Sequence, residues 1–349
     1  MSSAALDPGT LRGMLSAWAQ SALADRAPVI IRRVESAPGG ASSETYLIDA
    51  ATGPDRSPGA WVLRVEPRGH QVYEDPSVER QYRVIRALSE HTDLPVPAAI
   101  ALETEADVLG APFFLMQRAN GAAPPNDYHR QGLLASAAPA ERERMWRESV
   151  ALLARLHSVE PGPFAFLAYS GQDPKDGLAQ ELARWQSYRD WSRVPELPVY
   201  ERAREWLDGG RPGAGELGFA WGDARLPNIL FARGRPSALL DWETASLGGA
   251  ETDLGWWLFY DRMITEAEGV PRLSGIGDAG QTVALWESCS GRKGLDLEWH
   301  VIFAGYRFAL ISERARLLAI EAGRLPAGQH GQANPAVRLL ERLLAEHGG

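Results

Sequence analysis

Cysteine is almost absent: Cys289 is the only one in 349 residues. A single thiol allows neither an intrachain disulfide nor a cysteine-built zinc site, and this usage fits a reducing compartment. Lysine is nearly as scarce. Lys175 and Lys293 are the only two, and the other 34 of the 36 basic residues are arginine. Any cation offered to an anion by the first 174 residues must therefore be an arginine. No stretch approaches the ~18 apolar residues of a membrane-spanning helix. The opening MSSAALDPGTLRGML carries Asp7 and no apolar run, so no secretory leader is expected and the cytoplasm is the expected location. Excess positive charge is also missing. With 36 Lys and Arg against 45 Asp and Glu the formal charge is −9 and the isoelectric point about 5.4, which argues against nucleic acid or an anionic membrane as principal partner.

What is present is ordinary for a globular protein. The hydrophobic share is 45% and the charged share 23%, too apolar for disorder as the main state. At ~150 residues per domain the length suggests two domains or one large α/β unit.

The pattern changes along the chain. Residues 8–25 read as a short amphipathic helix. PVIIRRVES (28–36), TYLIDA (45–50) and AWVLRVEP (60–67) read as strands bounded by Gly, Ser and Pro turns. Residues 76–91 fit a helix with Pro76 in its first turn and Val78, Tyr82, Ile85 and Leu88 on one stripe. Residues 92–102 are broken by prolines and then extended, APFFLMQR (111–118) is a short buried strand, and ANGAAPPND (119–127) marks a boundary. Beyond it helices are expected at 138–160, 177–209 (one or two), 253–265, 281–290, 297–322 and 335–346. The segment 219–249 instead alternates loops with the apolar runs NILFA and SALLDW. The outline is α+β: a small β-rich lobe, 1–118, then a larger helical lobe, 119–349, with a helical cap segment near 171–212.

The informative stretch is WGDARLPNILF followed by DWE. Asp223, Arg225 and Asn228 lie two and five residues apart, and Asp241 follows 18 positions after Asp223. Carboxylate and carboxamide oxygens are hard ligands suited to Mg²⁺, which retains water and takes phosphate oxygens. A nearby carboxylate can accept a hydroxyl proton. Taken singly, these residues are equally common turn formers.

The spacing Asp-x-Arg-x-x-Asn followed by Asp resembles the catalytic loop and metal-binding aspartate of the protein-kinase-like fold. The wider wording, FAWGDARLPNILF with ALLDWETASLGGAETDLGWWL, is similar to the aminoglycoside phosphotransferase/choline kinase superfamily. Within it the likeness is closest to the phosphotransferase family that includes the kinase-like domain fused to some acyl-CoA dehydrogenases. GGASSETYLI, WVLRVEP, ERQYRVIRAL, LGAPFFLMQRANG and LARLHSVE resemble, in the right order, the phosphate-covering loop, third strand, N-lobe helix, adenine-side hinge and helix leading into the C-lobe core.

The resemblance implies a bilobal protein-kinase-like fold and an ATP-dependent, Mg²⁺-assisted transfer to the hydroxyl of a small-molecule acceptor, with GTP as a possible donor. It implies Asp223 as base and Arg225 as the cation on the transferring phosphoryl group. Asn228 and Asp241 would hold Mg²⁺. Ser42, Ser43, Thr45 and Arg64 would contact the phosphates, and Met116, Gln117, Arg118 and Ala119 would flank the adenine. Asp253 would support the catalytic loop, and His157 would brace the core.

Three positions depart from the family pattern. Trp221 stands where a His commonly precedes Gly-Asp. Arg64 replaces a Lys, and the two are not interchangeable. Gln81 aligns where the helix usually offers a Glu, with Glu79 two residues away. These departures motivate a second reading, a pseudokinase, meaning a nucleotide-binding or interaction module without turnover. A protein kinase is disfavoured, since Trp242-Glu243 follows Asp241 and 244–252 is short for a peptide-binding loop. The cap has eight acids and seven bases over 171–212. That near balance, with five aromatics in the same segment, gives no support for a polycationic aminoglycoside, the alternative acceptor; the resemblance to the dehydrogenase-fused branch implies a hydroxyacyl-type or other hydrophobic hydroxylated compound.

Overall fold

The three short β-rich segments near the start of the chain share one period-two pattern, and it decides which side of each strand is buried. The computed structural model describes residues 7–37, 44–69, 71–213, 217–326, 328 and 331–348. The chain divides into two compact units, Met1–Ala119 and Asn120–Gly349.

In the first unit β1 (Val29–Ser36), β2 (Glu44–Thr52), β3 (Ser57–Val65), β4 (Ala99–Glu103) and β5 (Phe113–Gln117) form one sheet in the order β1-β2-β3-β5-β4. Every neighbouring pair is antiparallel. Tyr46, Ile48 and Ala50 on β2 and Trp61, Leu63 and Val65 on β3 are buried on one face. That face is covered by α1 (Pro8–Ala22) through Leu11, Leu15, Trp18 and Ala19. Asp7 caps α1 by accepting from the Thr10 N–H at 3.0 Å, with Pro8 inside the first turn. The indole of Trp18 packs edge-on against Phe113 and donates to Glu103 at 2.8 Å.

α2 (Val78–His91) packs against β4 and β5. Its Tyr82 ring meets Phe114 at 6.0 Å, while Phe113 and Leu115 join the core beneath α1. β5 is thus buried on both faces, which explains its unbroken run FFLM. The extended stretch expected around 92–102 condenses into the short edge strand β4.

The second unit is helical: α3 (Gly132–Ser136), α4 (Pro139–Leu156), α5 (Gly177–Ser192), α6 (Pro198–Gly209), α7 (Ala250–Arg262), α8 (Ala279–Ser290), α9 (Leu297–Glu321) and α10 (Pro335–Glu346). The 177–209 pattern resolves into two helices, because Arg193 adopts a left-handed conformation and Pro198 opens the next helix. α7 and α9 pack closely at Gly255, where a Cβ would lie 2.5 Å from the His300 carbonyl. The β insertion is a hairpin of β6 (Ile229–Ala232) and β7 (Arg235–Leu239). Its two-residue turn, Arg233-Gly234, has positive φ at both positions, as a tight hairpin requires. Among the described residues no helix is long and apolar enough to cross a membrane.

Candidate active site

The segment before β6 must turn sharply, and glycine allows it. Gly222 has φ +88°, and a Cβ there would sit 2.1 Å from the Thr244 carbonyl oxygen. The chain then runs through Asp223 and Arg225 into a single 3₁₀ turn, Leu226–Asn228. That turn brings Asn228 back onto Asp223. The carboxamide Nδ2 donates to the Asp223 backbone oxygen at 2.9 Å and to its Oδ2 at 2.7 Å. The other carboxylate oxygen, Oδ1, accepts from the Trp256 indole at 2.8 Å. Asp223 and Asn228 are both buried.

Beneath the loop lies Asp253, fully buried on α7. Its Oδ2 accepts from the Trp221 N–H at 2.6 Å and its Oδ1 from the Gly222 N–H at 2.7 Å. His157, at the end of α4, approaches Oδ2 through Nε2 at 3.1 Å. The Trp286 indole donates to His157 Nδ1 at 3.0 Å. An indole N–H can only donate, so Nδ1 is the acceptor and Nε2 carries the proton given to Asp253. A buried carboxylate, a histidine and an indole therefore fix the two peptide units before Asp223.

Trp221 has a bracing role of its own. Its ring is fully buried, and Nε1 donates to the Leu240 carbonyl at 2.8 Å. The Leu240 N–H donates to the Asn228 carbonyl at 2.9 Å. Leu240 thus ties the Asp223 loop to the residue that follows Leu240 itself, Asp241. Asp241 is half-buried and adopts a left-handed conformation with φ +64°. Such a backbone is uncommon outside glycine, though Asp tolerates it, and it concentrates at functional sites.

Arg225 is pinned from three sides. Nε lies 2.8 Å from Asp223 Oδ1, Nη1 donates to Asn126 Oδ1 at 2.8 Å, and the guanidinium sits 4.9 Å over the Tyr260 ring. Burial alone would lower its pKa, but the charges of Asp223 and Asp241 outweigh it and hold the group above its ordinary value. The Tyr260 hydroxyl, pushed up to about 12 chiefly by burial, donates to the Asn126 carbonyl. Asn126 is itself anchored by its neighbours. Tyr128 and His129 both bond Asp261, at 2.9 and 3.0 Å.

The donor set suits a hard divalent cation. Both Asn228 bonds use Nδ2, so its carboxamide oxygen makes no hydrogen bond among the described residues. Asp241, one residue beyond Leu240, supplies a carboxylate. Among the described residues no three His, Cys, Asp or Glu side chains converge, as a zinc or calcium cage would require. One amide and one carboxylate is the sparse set from which Mg²⁺ takes its remaining ligands as water and phosphate.

In the first unit Thr45 and Arg64 are register partners on β2 and β3, both half-buried. Ser42 and Ser43 lie outside the described residues. Met116 and Gln117 end β5. The N–H groups of Gln117 and Arg118 donate to the Ala98 and Ala60 carbonyls at 2.8 Å each, and Arg118 pairs with Asp49 at 2.6 Å. Ala119 closes the unit. On α2 Gln81 is buried, and its Nε2 has no hydrogen-bond partner among the described residues. Glu79 instead points out and lies 4.0 Å from Arg83.

Two groups in the second unit carry no sequence-based expectation. Asn126 lies 99 residues before Arg225, and no local pattern couples them. Trp256 had a readable signal. It stands one helical turn after Asp253, so both project from α7 onto the same loop.

The model of the phosphotransferase enzyme family matches residues 33–292. Mouse acyl-CoA dehydrogenase family member 10 is 27% identical over 219 residues, covering 62% of this chain and 19% of that protein. The human acyl-CoA dehydrogenase family member 11 is 26% identical over 254 residues, covering 70% of this chain and 31% of that protein. The chain thus spans less than a third of these relatives' length. A crystal structure from Ralstonia eutropha, provisionally assigned as an aminoglycoside phosphotransferase, superposes with a TM-score of 0.68 at 23% identity, over 95% of each chain. Macrolide 2'-phosphotransferase MphH from Brachybacterium faecium gives 0.55 at 20% identity, over 91% of this chain and 96% of that one. These neighbours share the protein-kinase-like fold, a small antiparallel sheet lobe and a helical lobe. The family match spans both units and contains the whole Asp223 loop, so the chain belongs to the phosphotransferase enzyme family, small-molecule kinases that phosphorylate hydroxyl groups.

Proposed function

We propose that the chain transfers the γ-phosphoryl group of ATP to an alcohol of a hydroxyacyl-type or similarly hydrophobic small molecule. The observation that carries the reading is the Asp223 carboxylate, gripped on both oxygens by Asn228 and Trp256, on a loop tied to Leu240, the residue before Asp241. Asp223 orients the acceptor hydroxyl and takes its proton. Arg225, held charged by its neighbours, offsets charge on the transferring group. Asn228 and Asp241 would hold Mg²⁺, which when bound neutralises phosphate charge. Arg64 and Thr45 would meet the phosphates, with Ser42 and Ser43 on the covering loop. Met116 to Ala119 would flank the adenine, Gln117 and Arg118 through their carbonyls because their N–H groups are committed. Most of the rate then comes from positioning and electrostatics. Nucleotide use is supported by a fold neighbour, APH(4)-Ia, seen in ternary complexes with ADP or AMP-PNP and hygromycin B.

Charge in the cap speaks against a polycationic acceptor. Within the cap, Glu181, Glu196, Glu201, Asp208 and Asp176 lie against Arg184, Arg189, Arg204 and Arg211. Those acids are neutralised in place and offer little to a polycation. A cavity of about 290 Å³ among α5, α6 and α9 has a mixed wall, with Leu182, Trp185, Leu207, Phe303 and Tyr306 beside Gln186, Arg204, Asp208 and Arg211, suited to a ring or acyl group that also carries polar substituents.

The test is nucleotide binding by thermal shift, with ATP and GTP, with and without Mg²⁺, on wild type and Asp241→Ala. A ligand that binds only the folded state raises the melting temperature. A Mg²⁺-dependent rise that Asp241→Ala abolishes supports the reading. No rise with either nucleotide at millimolar concentration overturns it and favours the pseudokinase alternative.

A further inference from the structure

Asp223 is held by more than its own loop. We infer that Trp256 is a positioning residue for Asp223, and that the buried Arg307 holds Trp256 in place for that task. The inference rests on the proposed role of Asp223 as base.

The indole is buried, and its Nε1 lies 2.8 Å from Asp223 Oδ1. Indole N–H is a donor with no acceptor capacity, so the contact is meaningful only towards an acceptor oxygen. With Asn228 on Oδ2, donors from two separate elements set the plane of the carboxylate. Losing the indole leaves Oδ1 with Arg225 Nε alone, 2.8 Å away, and frees the carboxylate plane to turn about the Cβ–Cγ bond.

What fixes the indole is unusual. The Arg307 guanidinium, on α9, lies 4.8 Å from the Trp256 ring, 4.8 Å from Phe303 and 5.5 Å from Trp185. Nη2 donates to the Thr252 carbonyl at 3.2 Å, one turn before Trp256 on α7. Nη1 donates to Glu181 Oε2 at 3.3 Å, and the Trp185 indole donates to that same oxygen at 3.1 Å. A single cation therefore grips both the backbone and the ring of the helix that aims at Asp223, and α5 supplies its counter-charge. Burying such a pair adds little stability over an apolar filling of equal volume. Its flat, forked geometry is what an apolar residue could not supply.

The experiment separates the N–H from the shape of the ring. Site-specific replacement of Trp256 by benzothienylalanine keeps the bicyclic shape and puts sulfur in place of N–H. Turnover of Mg·ATP with an accepted alcohol is expected to fall about tenfold in kcat, the equivalent of ~1.4 kcal/mol, with the nucleotide KM within about twofold of wild type. Trp256→Phe should match it. In protein labelled with ¹⁵N-tryptophan, the indole signal missing from either variant identifies Trp256. That signal should shift upfield in Asp223→Asn, where a neutral amide replaces the carboxylate, while the other indole signals stay. A benzothienylalanine variant with wild-type kcat, or a Trp256 signal unmoved by Asp223→Asn, overturns the inference. If the wild type transfers phosphate to no alcohol, the kinase reading fails and takes the positioning role with it. The indole shift still reports separately whether the hydrogen bond exists.

Discussion

Asp253→Asn is the sharpest structural perturbation available, because it replaces one carboxylate oxygen by an NH₂ group with almost no change in volume. In the wild type, Asp253 accepts from Trp221 N–H, Gly222 N–H and His157 Nε2 and is fully buried. An asparagine has one acceptor oxygen, so its NH₂ must face one of those donors. One side of the pocket then sets donor against donor, and the rest exchanges a charged acceptor for a neutral one. Bonds to charged groups contribute roughly 1.5–3 kcal/mol each and neutral ones about 1, while a stranded buried donor costs about 1–3. The net loss should be about 3 kcal/mol, a large part of a total stability of roughly 5–15. Urea unfolding followed by tryptophan fluorescence reads it directly, and the melting temperature should fall by roughly 4–6 °C. Glu205→Gln, at an exposed cap position, serves as control and should move stability by less than about 0.5 kcal/mol. An Asp253→Asn protein that unfolds with the control would refute the view that this carboxylate holds the catalytic loop.

Three further predictions follow from the same geometry. Gly222→Ala drives a Cβ into the Thr244 carbonyl at positive φ and should cost more than about 2 kcal/mol in urea unfolding, with loss of turnover. Trp221→Phe removes the bond to Leu240 and should cost about 2 kcal/mol and shrink the Mg·ATP thermal shift, since Asp241 loses its bracing. His300 is buried on α9, and burial, with Arg307 nearby, lowers its pKa to about 3. The unfolded chain, near 6.5, binds the proton more readily, so this contribution is complete above pH 6.5 and is lost as pH falls towards 3, by up to ~1.4 kcal/mol per unit. A stability–pH curve measured for His300→Gln should be correspondingly flatter between pH 4 and 6 (approximate bounds set by those two pKa values).

The site was readable in sequence where its members are close along the chain. Asp223, Arg225 and Asn228 share one turn, and Asp241 follows a short hairpin, so spacing together with the family resemblance suggested them as one group. The strands of the first unit were equally readable from β-rich composition bounded by turn residues. What escaped was long-range. Asn126 meets Arg225 across 99 residues, and Arg307 reaches Glu181 across 126. No local pattern encodes which buried polar groups will pair. Trp221 illustrates a different limit. The sequence marks it as a departure from a bracing histidine, but only the fold reveals that its indole N–H supplies a brace to Leu240. The 177–209 pattern was likewise open between one helix and two, because the left-handed Arg193 carries no glycine signature.

The most direct test is phosphoryl transfer itself, followed by ³¹P NMR with Mg·ATP and a panel of hydroxyacyl-CoAs, other hydrophobic alcohols and aminoglycosides. Wild type should yield ADP and a new phosphate monoester with a hydrophobic alcohol, and Asp223→Asn should yield none while still binding Mg·ATP. A monoester formed by Asp223→Asn at the wild-type rate would contradict Asp223 as the base, and transfer to aminoglycosides alone would contradict the acceptor class.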